Sequence, residues 1–213
     1  MADDQPGNLL PAYSDEFDGT ALNTRWSWVR PPPEETFGLD GGALRFETQD
    51  ADLFQDSNSA SVLTTAVPSG NSLIEVKLSV NLPEEGCCFN YVQGGLVVYG
   101  DDDQFVKLAV FSKFNTRQIE FAKEVPASVP GVPRYGNTVL ASPAPETWLR
   151  IARRTAGTGE TYTAYSSRDG QNWTRGGTWT HALNPARIGL VSMGGKGFST
   201  RFDYVRVYDL AGP

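Results

Sequence analysis

The side chains of this chain that could do chemistry are aromatic rings, carboxylates, one histidine and two cysteines. Aromatic faces stack on the apolar side of a sugar ring, while neighbouring polar groups take its hydroxyls. Trp26, Trp28, Tyr91, Tyr135 and Trp179 are the candidate platforms. Trp28-Val29-Arg30 leads into Pro31-Pro32-Pro33, which sets a ring and the forked donor of Arg30 beside a rigid segment. Gln93 precedes Gly94-Gly95, where its amide could project from a strand. A folded core uses the same rings, so each of these aromatics has core packing as a competing assignment. Trp148 and Trp173 adjoin regular strand signals and are expected to be structural.

Cleaving a glycosidic bond takes two carboxylates in one cleft. Period-two spacing on a strand supplies them, because alternate side chains share a face. Glu16-x-Asp18 runs into Gly19-Thr20, Asp50-x-Asp52 has no third member, and adjacent Glu84-Glu85 would point to opposite faces. Catalysis would therefore have to draw its carboxylates from separate strands. His181 has no nucleophile motif beside it and is expected at the surface. Cys87 and Cys88 are neighbours and are expected as two thiols near a loop. Together with a single histidine they are too few for a zinc site.

These residues need a scaffold, and composition narrows the choice. The 213 residues suit one large β-sandwich. Hydrophobic residues at 39% and charged residues at 20% are ordinary for a folded chain. A net charge of −7 with no Lys/Arg cluster argues against nucleic acid and anionic membranes as partners. The acidic start, Met1-Ala2-Asp3-Asp4-Gln5-Pro6-Gly7, lacks the basic and apolar regions of a signal peptide. No segment has the length of a membrane span. The expectation is an extracellular module taken from a larger secreted chain, rather than a cytoplasmic protein.

Strand signals recur throughout, and no helix-length period appears. Residues 72–80 put Ile74, Val76, Leu78 and Val80 on one face and Glu75, Lys77 and Ser79 on the other. Residues 94–99 and 105–111 are more apolar and are expected as central strands, with Gly100-Asp101-Asp102-Asp103-Gln104 as the turn between them. Further strands are expected at 43–48, 60–66, 117–122, 147–153, 160–166, 187–193 and 200–208. Glycine (22) and proline (14) are spread between them as turn formers. Residues 125–146 hold Pro126, Pro130, Pro133, Pro143 and Pro145 and are expected as the longest unstructured stretch. The whole predicts an all-β, two-sheet antiparallel sandwich: a polar lead over residues 1–13, then one domain over 14–210.

Several segments together carry a family likeness. They are Ser14-Asp15-Glu16-Phe17-Asp18-Gly19-Thr20, Arg25-Trp26, Gly41-Gly42-Ala43-Leu44, Gln93-Gly94-Gly95-Leu96-Val97-Val98-Tyr99, Asp101-Asp102-Asp103-Gln104-Phe105-Val106-Lys107-Leu108, Ser167-Arg168-Asp169-Gly170-Gln171-Asn172-Trp173 and Phe202-Asp203-Tyr204-Val205-Arg206-Val207-Tyr208. In order and spacing the chain resembles the concanavalin A-like (laminin G-like) jelly rolls. Within them it is similar to the lectin-like C-terminal domains of bacterial β-xylosidases and arabinofuranosidases, and to modules of secreted actinobacterial proteins. The resemblance implies a concave face or rim that meets carbohydrate, with the tryptophan and arginine matching Trp28 and Arg30 near its start. It also implies first and last strands side by side, where Asp15, Glu16, Asp18 and Asp203 could share a structural Ca²⁺. The Glu-x-Asp-x-Glu strand of laminarinase-like relatives is missing. The expected function is thus a module that binds polysaccharide or oligosaccharide, working with other modules of the same polypeptide. The competing expectations are a glycoside hydrolase or lyase on the same sandwich, and a structural or protein-binding module.

Overall fold

The computed structural model describes residues 3–157 and 159–210, apart from the side chain of Ala156. Seventeen strands follow one another: β1 (Pro6–Leu9), β2 (Ser27–Val29), β3 (Phe37–Leu39), β4 (Leu44–Glu47), β5 (Leu53–Phe54), β6 (Ser57–Asn58), β7 (Val62–Ala66), β8 (Ser72–Val80), β9 (Gln93–Asp101), β10 (Gln104–Lys113), β11 (Thr116–Glu124), β12 (Tyr135–Ala141), β13 (Thr147–Ala156), β14 (Gly159–Ser167), β15 (Trp173–Thr180), β16 (Arg187–Met193) and β17 (Ser199–Leu210). One sheet has the order β15-β14-β13-β8-β17-β4-β3, with β1 added along β17. The other has the order β12-β11-β10-β9-β16-β7-β2. The pairings within both are antiparallel. This is the all-β sandwich that the strand pattern predicts.

Its core follows from the period-two pattern. Ile74, Val76 and Leu78 of β8, with Leu149 and Ile151 of β13, meet Leu96 and Val98 of β9 and Val106 and Leu108 of β10 between the sheets. All are at most 1% exposed, and each such side chain contributes about 1.5–3 kcal/mol by leaving water. Turn chemistry fixes the registers. Asp101 accepts the Asp103 N–H at 2.9 Å in the β9–β10 turn. Asp169 accepts the N–H groups of Gln171 and Asn172 in the β14–β15 turn, where Gly170 has φ of 72°.

Three segments differ from the sequence expectation. Residues 6–9 of the expected polar lead form β1, and Pro6 and Leu9 align with Leu210 and Tyr208 of β17. Main-chain hydrogen bonds hold such an edge strand without an apolar pattern, so its polarity hid it. The proline-rich stretch contains β12, which pairs Tyr135 with Glu124 and Val139 with Glu120 of β11. Its prolines lie outside the strand itself, where no ladder hydrogen bond is lost. Cys87 and Cys88 are bonded to each other in the β8–β9 connection rather than standing as free thiols.

Candidate functional site

The strands that make the core also turn a second face to the outside. On the second sheet this outer face carries Gln93, Gly95, Val97 and Tyr99 of β9 opposite Phe111, Ala109, Lys107 and Phe105 of β10. Gln118, Glu120 and Glu124 of β11 continue it. Half of the face is covered. Leu53 of the β5–β6 hairpin packs on Val97, Tyr99, Phe105, Val191 and Met193, and this forms a small apolar cluster outside the main core. The hairpin is pinned there by charge. Arg134 reaches Asp56 and Asp103, each at 2.8 Å, and the buried Glu124 carboxylate accepts the Gln55 N–H at 3.0 Å.

The uncovered half is a pocket of about 420 Å³. Phe54, Tyr91, Phe111 and Tyr135 wall it, and Asp52, Gln93, Lys107, Lys113, Glu120 and Asn137 supply its polar groups. The Phe54 and Tyr135 rings meet edge to face at 4.8 Å, and Tyr91 stands 6.1 Å from Phe111. Tyr135 donates its hydroxyl to Glu120 at 3.2 Å, and Gln118 donates to the other Glu120 oxygen at 3.2 Å. Burial first, and the Glu120 charge second, push the Tyr135 phenol well above its ordinary range. Lys107 is only 3% exposed. Desolvation lowers its ammonium from 10.5 to about 8, against the opposing pull of Asp52, Glu120 and Glu124.

Of the candidates read from the sequence, Tyr91, Gln93 and Tyr135 come together in this pocket. The others do not. Trp26 is 7% exposed, lies beside Phe17 and donates its indole N–H to Asp15 at 2.8 Å. Trp28 points between the sheets, with Phe37 at 4.9 Å and Phe46 at 5.1 Å. Arg30 is spent on the scaffold, forking onto Asp102 at 2.7 and 2.8 Å and donating to the Ala60 carbonyl. Trp179 packs on Phe121 of the core at 6.2 Å. In these four cases a ring or a forked donor beside a strand served core packing and loop locking. His181 is likewise buried rather than at the surface, and burial lowers its imidazole.

Lys107, Glu120, Phe54 and Phe111 were not singled out in the sequence. A usable signal existed for two of them. Lys107 interrupts the apolar run of β10, and Glu120 interrupts that of β11. A charge inside a central strand has to face something polar.

The proposed calcium ligands are also dispersed. Glu16 pairs with Arg206 at 2.8 Å, and Asp203 with Lys77 at 2.7 Å. Asp15 accepts from Trp26 and from the Phe17 N–H, and Asp18 is exposed. Among the described residues no group of three or more His, Cys, Asp or Glu side chains is placed to hold a metal ion. A native-state ligand would stabilise the fold in proportion to its binding. Thermal melts in EDTA and in millimolar calcium test the ion at the chain ends: a calcium-dependent rise in midpoint supports it, and one shared midpoint removes it.

The structure thus defines a concanavalin A-like sandwich with an aromatic-walled, polar-floored pocket on one outer sheet face. The model of the beta xylosidase C-terminal Concanavalin A-like domain matches residues 14–198, and the chain belongs to that family. Solved structures share the fold at low identity. The GH43 BlXynB protein from Bacillus licheniformis superposes with a TM-score of 0.70 at 18% identity, over 92% of this chain and 39% of that one. The xyloglucan PUL GH43B of Bacteroides ovatus gives 0.72 at 19%, over 99% and 40%. A bifunctional GH43-CE protein of Bacteroides eggerthii gives 0.73 at 16%, over 93% and 26%. The chain therefore spans about two fifths or less of these neighbours' lengths. No curated protein matches the sequence.

Proposed function

We propose that this chain is a sugar-binding accessory domain that serves, outside the cell, a carbohydrate-active protein with other modules. The observation that carries this is the outer-face pocket, where four aromatic rings surround polar groups 2–4% exposed, Gln93, Lys107 and Glu120. Rings take the apolar faces of a sugar and the polar groups take its hydroxyls. The family to which the chain belongs and its GH43 neighbours support a carbohydrate setting. Affinity is expected to be modest, because each hydroxyl bond replaces one to water.

Asp52 and Glu120 both line the pocket, so a hydrolase reading has an observation of its own. One experiment separates the two. The purified chain is incubated with xylan, arabinan, β-glucans and their oligosaccharides, and both retention and released reducing sugar are scored. Retention without release is expected. Release would establish a hydrolase, and neither retention nor release would leave a structural module. Phe54 is 38% exposed, so Phe54→Ala is expected to leave the melt nearly unchanged. It removes one stacking wall and should weaken oligosaccharide binding about tenfold, as read by titration calorimetry.

A further inference from the structure

Two groups at the pocket floor lack a hydrogen-bond partner among the described residues. Gln93 is 2% exposed, and its Nε2 donates to the Tyr91 carbonyl at 3.1 Å. A carbonyl only accepts, which fixes the amide orientation and leaves Oε1 as the free atom. That oxygen is buried and accepts nothing among the described residues. Lys107 is 3% exposed, lines the same pocket, stands over the Phe105 ring at 5.6 Å and makes no hydrogen bond or ion pair among the described residues. A buried acceptor and a buried ammonium left unmet are each costly. They stand on one face, four residues apart in strand register, because Lys107 pairs with Val97 on β9. Only the Gly95–Ala109 pair lies between them on that face. A Cβ on Gly95 would fall 2.8 Å from the Ala109 Cβ, so β9 can carry only glycine there and the floor stays low.

Resting on the sugar-binding function above, we infer that Gln93 and Lys107 are the specificity pair of this pocket and that its ligand is an uncharged sugar residue. One hydroxyl of the ring donates to Gln93 Oε1, and another ring oxygen accepts from Lys107 Nζ. A uronic acid is disfavoured, because Asp52 and Glu120 balance Lys107 and Lys113 around the pocket and leave no surplus cation to meet a further negative charge. An ordinary acidic-sugar site would carry a surplus of arginine or lysine, and here two carboxylates and two amines line the pocket.

The test uses titration calorimetry of the whole chain against matched pairs of oligosaccharides, neutral xylo- and gluco-oligosaccharides and the same backbones bearing glucuronic acid. Neutral ligands are expected to bind at least about tenfold tighter than a ligand presenting only the uronic residue. Gln93→Met and Lys107→Met, close in size to the originals, should each weaken the neutral ligand about tenfold or more. If the parent chain binds no neutral or acidic sugar, the function itself fails. If it binds sugar but both variants bind as the parent does, or if the uronic ligands bind equally or better, the specificity pair fails while the sugar-binding function stands. The selectivity measured on the parent chain needs no variant to fold.

Discussion

Lys107→Met should melt at a higher temperature than the parent chain at pH 7, while weakening the proposed sugar binding. The side chain is 3% exposed, and burial holds its ammonium at about 8 instead of 10.5. Below pH 8 both folded and unfolded chains carry the charge, and the folded state bears the net penalty, about 3 kcal/mol. Between pH 8 and 10.5 the folded chain gives up the proton and the unfolded chain keeps it, so the penalty fades as pH rises. Methionine fills nearly the same volume without the charge. That penalty is already net of the attraction of Asp52, Glu120 and Glu124, and the imperfect fit of methionine offsets part of the gain. A net stabilisation of about 1–2 kcal/mol, or about 3–6 °C, is expected at pH 7. The difference between variant and parent should shrink toward pH 10. Denaturant melts at the two pH values decide it. A variant less stable than its parent, or a gap that does not move with pH, would show that Lys107 is held by the fold rather than kept for a ligand.

Gly194→Ala should do the opposite, damaging both stability and the pocket. Gly194 has φ of +89°, and a Cβ there would sit 1.9 Å from the Tyr91 carbonyl oxygen. Its N–H donates to the Ala51 carbonyl at 3.0 Å, at the base of the hairpin that carries Phe54. One methyl group therefore pushes on two walls of the pocket at once. The backbone conformation alone costs alanine about 1–2 kcal/mol, and the collision brings the total to about 3 kcal/mol or more. Gly197 separates the two causes. It has φ of +98° but nothing within 4 Å of its Cβ position, so Gly197→Ala suffers the conformational cost alone. The expected order of unfolding free energies is parent, then Gly197→Ala, then Gly194→Ala, with only the last losing oligosaccharide affinity. Equal losses in the two variants would mean that the contact with Tyr91 relaxes freely. Tyr91 itself has φ of +71°, so its own backbone leaves little freedom to move aside.

The two experiments bear on one trade. A cation kept in a place that favours neither burial nor pairing lowers stability, and such exceptions concentrate where a protein meets a ligand. Gln93, with its acceptor unmet, is a second exception on the same face. The outer face of the first sheet behaves differently. There Glu75 is also buried, but Arg150 and the Tyr204 hydroxyl satisfy it, at 2.5 and 2.7 Å. Glu75 is thus met by two partners, whereas Lys107 has no hydrogen bond or ion pair among the described residues.

By itself the sequence determined the sandwich, because alternation in segments such as Ser72–Val80 is a local property that survives whatever neighbours the strand meets. It determined Tyr91, Gln93 and Tyr135 as site candidates, since an aromatic or an amide near a strand end can be read without knowing the partner strand. It did not determine which tryptophans are free. Trp28 and Trp179 have local contexts much like that of a sugar platform, and only sheet pairing turns them toward Phe46 and Phe121. Nor could it show that β12 exists between its prolines, because edge pairing lies in the backbone and leaves little trace in side-chain pattern. The pocket joins Asp52, Gln93, Lys107, Glu120 and Tyr135 from the hairpin and four different strands. Proximity between groups so far apart along the chain is set by strand order and register, and those were decided by tertiary structure alone.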